Sequence, residues 1–294
     1  MKRNFTVAAV LLLVAWGCEE PEAPPSPAEE GPDPTAQEAD RLEIFDLWAE
    51  GTPAFGLFVP DERERGDDGA PEGDVAVYTP EGGEELAQNP LYDFLFLNLE
   101  NHYDADAVRN IEEGLQRHGP EGRPAHLVRI PPLEEAGDEV TRERIHEVLE
   151  IGADGVVLPE VRNVGEAERI LGFFDEAGAD VWSPGNPEGN TIAMIMLEDP
   201  DAVAQAAEVA DLQDFSILAC GIGSLTSALG GDREAAEEGV QHVLAEAQRV
   251  GIPDMITANA DDIEERIEQG FLALLTSGPE ADEAIRVGRE AVGR

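Results

Sequence analysis

The sequence predicts an α/β fold, a (β/α)8 TIM barrel, on two observations: eight short apolar runs are spread over residues 55–276, and an amphipathic segment follows each of them. Short apolar runs bounded by turn residues read as strands buried on both faces. The segments between them are long enough for the helical crossovers that parallel strands require. A doubly wound open sheet is the alternative. It would carry a glycine-rich phosphate loop after its first strand, where this chain has the acidic stretch PDERERGDDGAPEGD. Eight strand–helix units make the closed barrel the economical solution.

Strands are expected at residues 55–59, 94–99, 126–130, 155–161, 192–197, 215–220, 254–257 and 271–276. Helices are expected at 82–88, 105–117, 141–151, 164–177, 200–209, 233–250, 260–269 and 280–292. Apolar residues at three- and four-residue spacing, such as Ile145, Val148 and Leu149, carry the helical assignments. Asp104, Thr141 and Asp261 stand near expected helix starts, and Gly152, Gly178 and Gly251 follow expected ends.

Ahead of this domain, residues 1–17 have the layout of a secretory signal: Lys2 and Arg3, an apolar run from Val7 to Trp16, then the small Gly17. The run is too short to span a bilayer comfortably. Cys18 after a small residue resembles a bacterial lipoprotein cleavage site, so Cys18 is the expected lipidation position. Residues 18–40 are rich in Pro, Glu and Ala and read as a disordered acidic tether. The expected organisation is therefore signal peptide 1–17, lipidated tether 18–40 and barrel domain 41–294. It implies an exported protein held to a membrane by lipid alone, in the periplasm or at the cell surface.

Composition removes several function classes. Asp plus Glu number 64 against 19 Lys plus Arg, a formal net charge of −45, so a nucleic-acid phosphate backbone would be repelled. With Cys18 lipidated, Cys220 is left alone and no disulfide framework forms. The single lysine is Lys2, within the signal. The mature chain then has no amine for Schiff-base chemistry, pyridoxal phosphate attachment or a P-loop.

A barrel carries its chemistry at the carboxyl ends of its strands. Those ends hold Asn98, Glu100, Asn101 and His102 after the second strand and Arg129 after the third. Pro159, Glu160 and Arg162 follow the fourth, Glu198 and Asp199 the fifth, and Gly221 to Ser224 the sixth. Arg129 on a proline-braced loop suits bidentate capture of a carboxylate; pairing with Glu134 or Glu135 is the bland alternative. Glu198 suits a hard divalent cation, its alternative being a cap on the next helix. The turn Gly221 to Ser224 exposes backbone N–H groups that suit an anionic carboxylate. His102 is the candidate proton shuttle, a structural histidine being the alternative, while His118, His146 and His242 read as surface residues. Ser224 and Ser227 lack a base partner, which argues against a serine hydrolase.

These rim segments resemble the HpcH/HpaI aldolase superfamily, the metal-dependent pyruvate aldolases related to citrate lyase β subunits. DFLFLNLEN is similar to the family's D-W-L-L-I-D-x-E-H, HLVRIPP to V-V-R-P, and MIMLED to an apolar residue followed by Q-x-E-(T/S). GIGSLTSALG is similar to G-P-x-D-L-S-x-S-L-G. The most specific likeness is EIGADGVVLPEVRNVGEAERI, and the whole spans residues 54–288. The resemblance implies a carbon–carbon lyase acting on a small 2-oxo acid through a metal-stabilised pyruvate enolate. Arg129 would bind the pyruvate oxygens, Glu198 would ligate Mg2+ or Mn2+, and the Gly223–Ser224 amides would hold the carboxylate. Glu100 and His102, after the second strand, complete the candidate catalytic set with Arg129. The family also forms oligomers through C-terminal helices, so residues 281–292 could pack across a homo-oligomer, with a tethered monomer as the alternative.

This chain departs from the family pattern at several of these positions. Asn101 stands where the family has its catalytic histidine, Ser224 where it has a second metal carboxylate, and Met196 where it has a glutamine. Glu150 replaces the aspartate that closes the third helix of the pattern. Two functions follow as alternatives: a divalent-metal aldolase, or a catalytically degenerate carboxylate-binding lipoprotein that keeps the barrel and the anion site.

Overall fold

Eight parallel strands hydrogen-bond in sequence order and close into a barrel by pairing β8 with β1 in the computed structural model, which describes residues 41–64 and 71–294. The expected signal segment 1–17, Cys18 and the tether up to residue 40 lie outside the described residues. The strands are β1 (Ala54–Phe58), β2 (Phe94–Asn98), β3 (Ala125–Arg129), β4 (Gly155–Leu158), β5 (Ile192–Met196), β6 (Ile217–Ala219), β7 (Asp254–Thr257) and β8 (Ala273–Thr276). Helices α1 (Glu43–Ala49), α2 (Pro80–Ala87), α3 (Ala105–His118), α4 (Leu133–Ala136), α5 (Asp138–Ile151) and α6 (Val164–Glu176) come first in the chain. They are followed by α7 (Pro200–Val203), α8 (Ala206–Ala210), α9 (Ile222–Ala228), α10 (Arg233–Val250), α11 (Ile263–Gln269) and α12 (Ala281–Ala291).

All eight expected strands form, most of them a residue or more shorter than their apolar runs, because a run continues past the last ladder bond onto the packed strand end. The expected helix over 200–209 is two short helices, α7 and α8, broken at Ala204–Gln205, where the Gln205 side chain bonds the Asp201 carbonyl at 3.0 Å. Thr141 does not cap α5 but lies buried within it, since the helix begins at Asp138. Asp104 caps α3 as expected, and Gly152 and Gly251 close α5 and α10 in the left-handed conformation. Helix α1 has no side-chain cap and was not expected. Its Phe45 and Trp48 stack on Trp182, at 5.8 and 5.6 Å between ring centroids, and Trp48 donates to the Leu272 carbonyl at 2.9 Å. This cluster covers the end of the barrel at which the strands begin.

Alternation along each strand sorts its residues between two cores. Leu57, Leu95, Leu97, Val128, Val156 and Ile195 point outward into the helix layer. Phe94, Phe96, Leu127, Val157, Met194, Met196, Met255 and Leu275 point inward and fill the barrel. Two-residue steps along the inward rows lead from Phe96 through Asn98 to Glu100, from Leu127 to Arg129, and from Met196 to Glu198. The pleat that packs the barrel thus delivers three charged side chains to its carboxyl-end mouth. Among the described residues no helix is long and apolar enough to cross a membrane.

Candidate active site

Arg129, the last residue of β3, is 9 % exposed and points into the mouth. One of its guanidinium nitrogens, Nη2, is hydrogen-bonded to Glu100 Oε1 and lies 3.5 Å from Glu198 Oε2. Three separate strand ends therefore meet on one nitrogen, with two carboxylates facing each other across it. Pairing of Arg129 with Glu134 is not observed; Arg162 takes Glu134 instead, at 2.8 Å.

Glu198 is buried and does not cap the following helix. Asp199 performs that task, its Oδ1 accepting from the N–H groups of Asp201 and Ala202 at 2.9 and 3.0 Å. Glu198 Oε2 accepts the backbone N–H of Glu160 at 3.1 Å. Glu160 makes this contact from a left-handed backbone, φ 50°, a conformation that costs a non-glycine residue about 1 kcal/mol or more. Its side chain turns outward to Arg162 at 2.8 Å. On the opposite side, Gly221 lies so close to the Glu198 carboxylate that a Cβ there would collide with Oε1. Neither the strained amide nor the necessary glycine is legible from spacing alone.

The sequence GIGS forms the start of a helix, α9, rather than an isolated turn. Its first intrahelical bond runs from the Leu225 N–H to the Gly221 carbonyl at 2.9 Å, so the N–H groups of Ile222, Gly223 and Ser224 precede the helical ladder. Gly223 and Ser224 are exposed and line the mouth. With Arg129, Glu198 and Cys220 they surround a cavity of about 200 Å³ whose floor is apolar.

Burial pushes the Glu100 carboxyl above the usual carboxylate range; the Arg129 charge opposes this, and the Glu198 charge adds to it. The two acids carry more negative charge than one guanidinium neutralises. Burial, reinforced by the charges of Asp254, Glu198 and Glu237, pushes the Cys220 thiol far up, which disfavours its thiolate.

The structure does not bring His102 into this cavity. His102 is exposed and lines a neighbouring cavity with Asn98, Asn101 and Asp104. His126 is fully buried on the outward face of β3, with Nδ1 3.3 Å from Glu112 Oε2. His118 and His242 are exposed, and His146 lies on the surface beside Glu150.

Among the described residues no group of three or more His, Cys, Asp or Glu side chains is gathered in a way that would enclose a metal ion. The donor set nevertheless fits a hard divalent cation. Mg2+ is commonly held by one or two carboxylates, the remaining positions going to water and substrate oxygens. Glu198 and Glu100 supply two facing carboxylates with surplus charge, and Gly221 keeps the space beside Glu198 Oε1 free of side chain.

The HpcH/HpaI aldolase/citrate lyase family model matches residues 86–277, more than half of the chain. A family protein of that description from Burkholderia cenocepacia has a similar structure, with TM-score 0.62 and 16% identity over 86% of this chain and 98% of its own. The HpcH/HpaI aldolase from Desulfitobacterium hafniense gives TM-score 0.61 and 19% identity, over 87% and 96%. A citrate lyase β subunit from M. tuberculosis, solved with oxaloacetate and magnesium, gives TM-score 0.54 and 15% identity, over 85% and 99%. At such identities the structural likeness shows the fold. No curated protein sequence matches the chain.

Proposed function

Because the chain belongs to the HpcH/HpaI aldolase/citrate lyase family, whose chemistry is carbon–carbon bond cleavage and formation, we propose that its barrel mouth acts on a small 2-oxo acid with the help of Mg2+ or Mn2+. The observation that carries this reading is the convergence of Glu100, Arg129 and Glu198 from three strand ends on one guanidinium nitrogen.

In this reading Glu198 and Glu100 hold the cation, with Glu198 fixed by the Glu160 N–H. When bound, the cation supplies positive charge to the 2-oxo group, where charge develops as the carbon–carbon bond breaks. Arg129 exchanges its carboxylate partners for the substrate oxygens, an exchange a planar guanidinium makes without loss of geometry. The Gly223 and Ser224 amides orient the substrate carboxylate. Met196, Met255 and Phe58 exclude water from below, which strengthens each of these charge interactions.

Asn101 and Ser224 favour a second reading, a carboxylate binder without turnover. Thermal unfolding separates the two, since a ligand that binds only the native state raises its stability. Stabilisation by oxalate that requires Mn2+ and disappears in Glu198→Gln supports the aldolase. Stabilisation by oxalate alone, abolished in Arg129→Ala, supports the binder, and no stabilisation by either rejects both.

The pattern of residues 1–17 and Cys18 supports export and lipid anchoring of this domain. The expected outcome is that the expressed chain fractionates with membranes and that Cys18→Ala releases it. Recovery of the unaltered chain in the soluble fraction would refute the anchor.

A further inference from the structure

The head of the ligand accounts for only part of the cavity. Below the plane of Arg129 and Glu198 the walls are Phe58, Phe96, Met196, Met255 and Leu275, with the two phenyl rings edge to face at 4.9 Å. Phe58 is partly exposed, while Met196 and Met255 are 4 and 3 % exposed, Leu275 1 % and Phe96 not at all, so Phe58 and the two thioethers supply the apolar surface open to the cavity. The total space, about 200 Å³, equals the liquid volume of about seven waters and exceeds what a three-carbon acid fills.

Charge around the mouth is one-sided. Of the residues lining this cavity only Arg129 is cationic. Another cation at the rim, Arg162, already meets Glu134 and Glu160 at 2.8 Å each and Asp199 at 3.6 Å. The described residues include no lysine. A ligand with a carboxylate at each end would therefore place its second charge against apolar side chains or beside Glu100, Glu160 and Glu198, with no cation to receive it. An alkyl chain, in contrast, would cover Phe58 and the two thioethers.

Resting on the 2-oxo acid reading above, we propose that the carbon chain this site accepts beyond the 2-oxo acid head is apolar, an aliphatic group and not a second carboxylate. Met196 is the selecting residue, because it sits two positions before Glu198 on the inward row of β5 and presents a thioether where an amide would offer a hydrogen bond.

The test is calorimetric titration of the full chain, in excess Mn2+, with pyruvate, 2-oxobutanoate, 2-oxopentanoate, 4-methyl-2-oxopentanoate and oxaloacetate. Affinity is expected to rise about fourfold per methylene along the linear series, with oxaloacetate at least tenfold weaker than 2-oxopentanoate. Met196→Gln is expected to flatten the rise, and a rise as steep as in the unaltered chain would overturn Met196 as the selecting residue. A flat series, or oxaloacetate binding more tightly than 2-oxopentanoate, overturns the apolar assignment and leaves the 2-oxo acid reading intact. Failure of every one of these acids to bind overturns that reading itself.

Discussion

Replacing Arg129 by methionine tests whether its charge is what lets Glu100 and Glu198 share one mouth. Arg129 is 9 % exposed and Glu198 4 %, so solvent screens their contact little. Removing one member of a buried charge set costs about 3–5 kcal/mol. The lower end applies here, because Glu100 can take up a proton. Its carboxyl is already raised by burial, and loss of the opposing Arg129 charge raises it further. The expected loss is about 3 kcal/mol at pH 7.5, equivalent to a fall in Tm of roughly 6–12 °C for a domain of this size. A carboxyl raised in the folded state contributes stability below its unfolded pKa that is lost as pH rises through the folded value. The deficit of Arg129→Met relative to the unaltered chain should thus shrink on acidification, by up to about 1.4 kcal/mol per pH unit. Mn2+ should shrink it as well, by about 1.4 kcal/mol for each tenfold by which loss of the guanidinium tightens Mn2+ binding to the two carboxylates. Urea unfolding followed by circular dichroism at pH 7.5 and 5.5, with and without Mn2+, measures all three effects. An unchanged midpoint at pH 7.5, or a deficit indifferent to both acid and Mn2+, would refute the reasoning.

Three further outcomes follow from particular residues. Gly221→Ala should drive a methyl into the Glu198 carboxylate, lowering Mn2+ affinity at least tenfold in a thermal-shift titration at a stability cost of about 1–3 kcal/mol; unchanged Mn2+ affinity would count against Glu198 as ligand. Glu160→Gly keeps the N–H that holds Glu198 while relieving the left-handed backbone, so it should raise stability by about 0.5–1 kcal/mol in urea and leave oxalate affinity unaltered. Asp254 opens β7 fully buried with neither carboxylate oxygen hydrogen-bonded, and burial pushes its carboxyl well above the usual range. The unaltered chain should therefore lose stability relative to Asp254→Asn as pH climbs from about 4 toward neutrality; parallel stability–pH curves would show that Asp254 is ionised at no such cost.

The barrel was legible because its cause is local and repeated: each apolar run alternates between an outward row, such as Leu95 and Leu97, and an inward row, such as Phe94 and Phe96. Glu100, Arg129 and Glu198 were legible for the same reason, each being the next inward position beyond a packed row. Phe58 and Met255 could have been placed at the mouth by that parity. Helix α1 could not be, since Phe45 and Trp48 find their partner in Trp182, far away in sequence. His102 illustrates the limit in the opposite direction: four residues past the end of β2 the inward row no longer holds, and its side chain lines the neighbouring cavity with Asn98 and Asp104. The Glu160 amide depends on a backbone φ that no side-chain pattern records.

The most direct measurement of the central claim is exchange of the pyruvate methyl protons with D2O, followed by proton NMR in the presence of Mg2+. Cleavage at this mouth would end with a proton taken up by the carbon next to the 2-oxo group, and exchange of the pyruvate methyl protons is that step run in both directions. The account predicts that the unaltered chain accelerates the exchange, that chelation of the metal abolishes it, and that Glu198→Gln and Arg129→Gln each reduce it by a hundredfold or so. Exchange no faster than in buffer, from protein that binds oxalate and unfolds cooperatively, would contradict it.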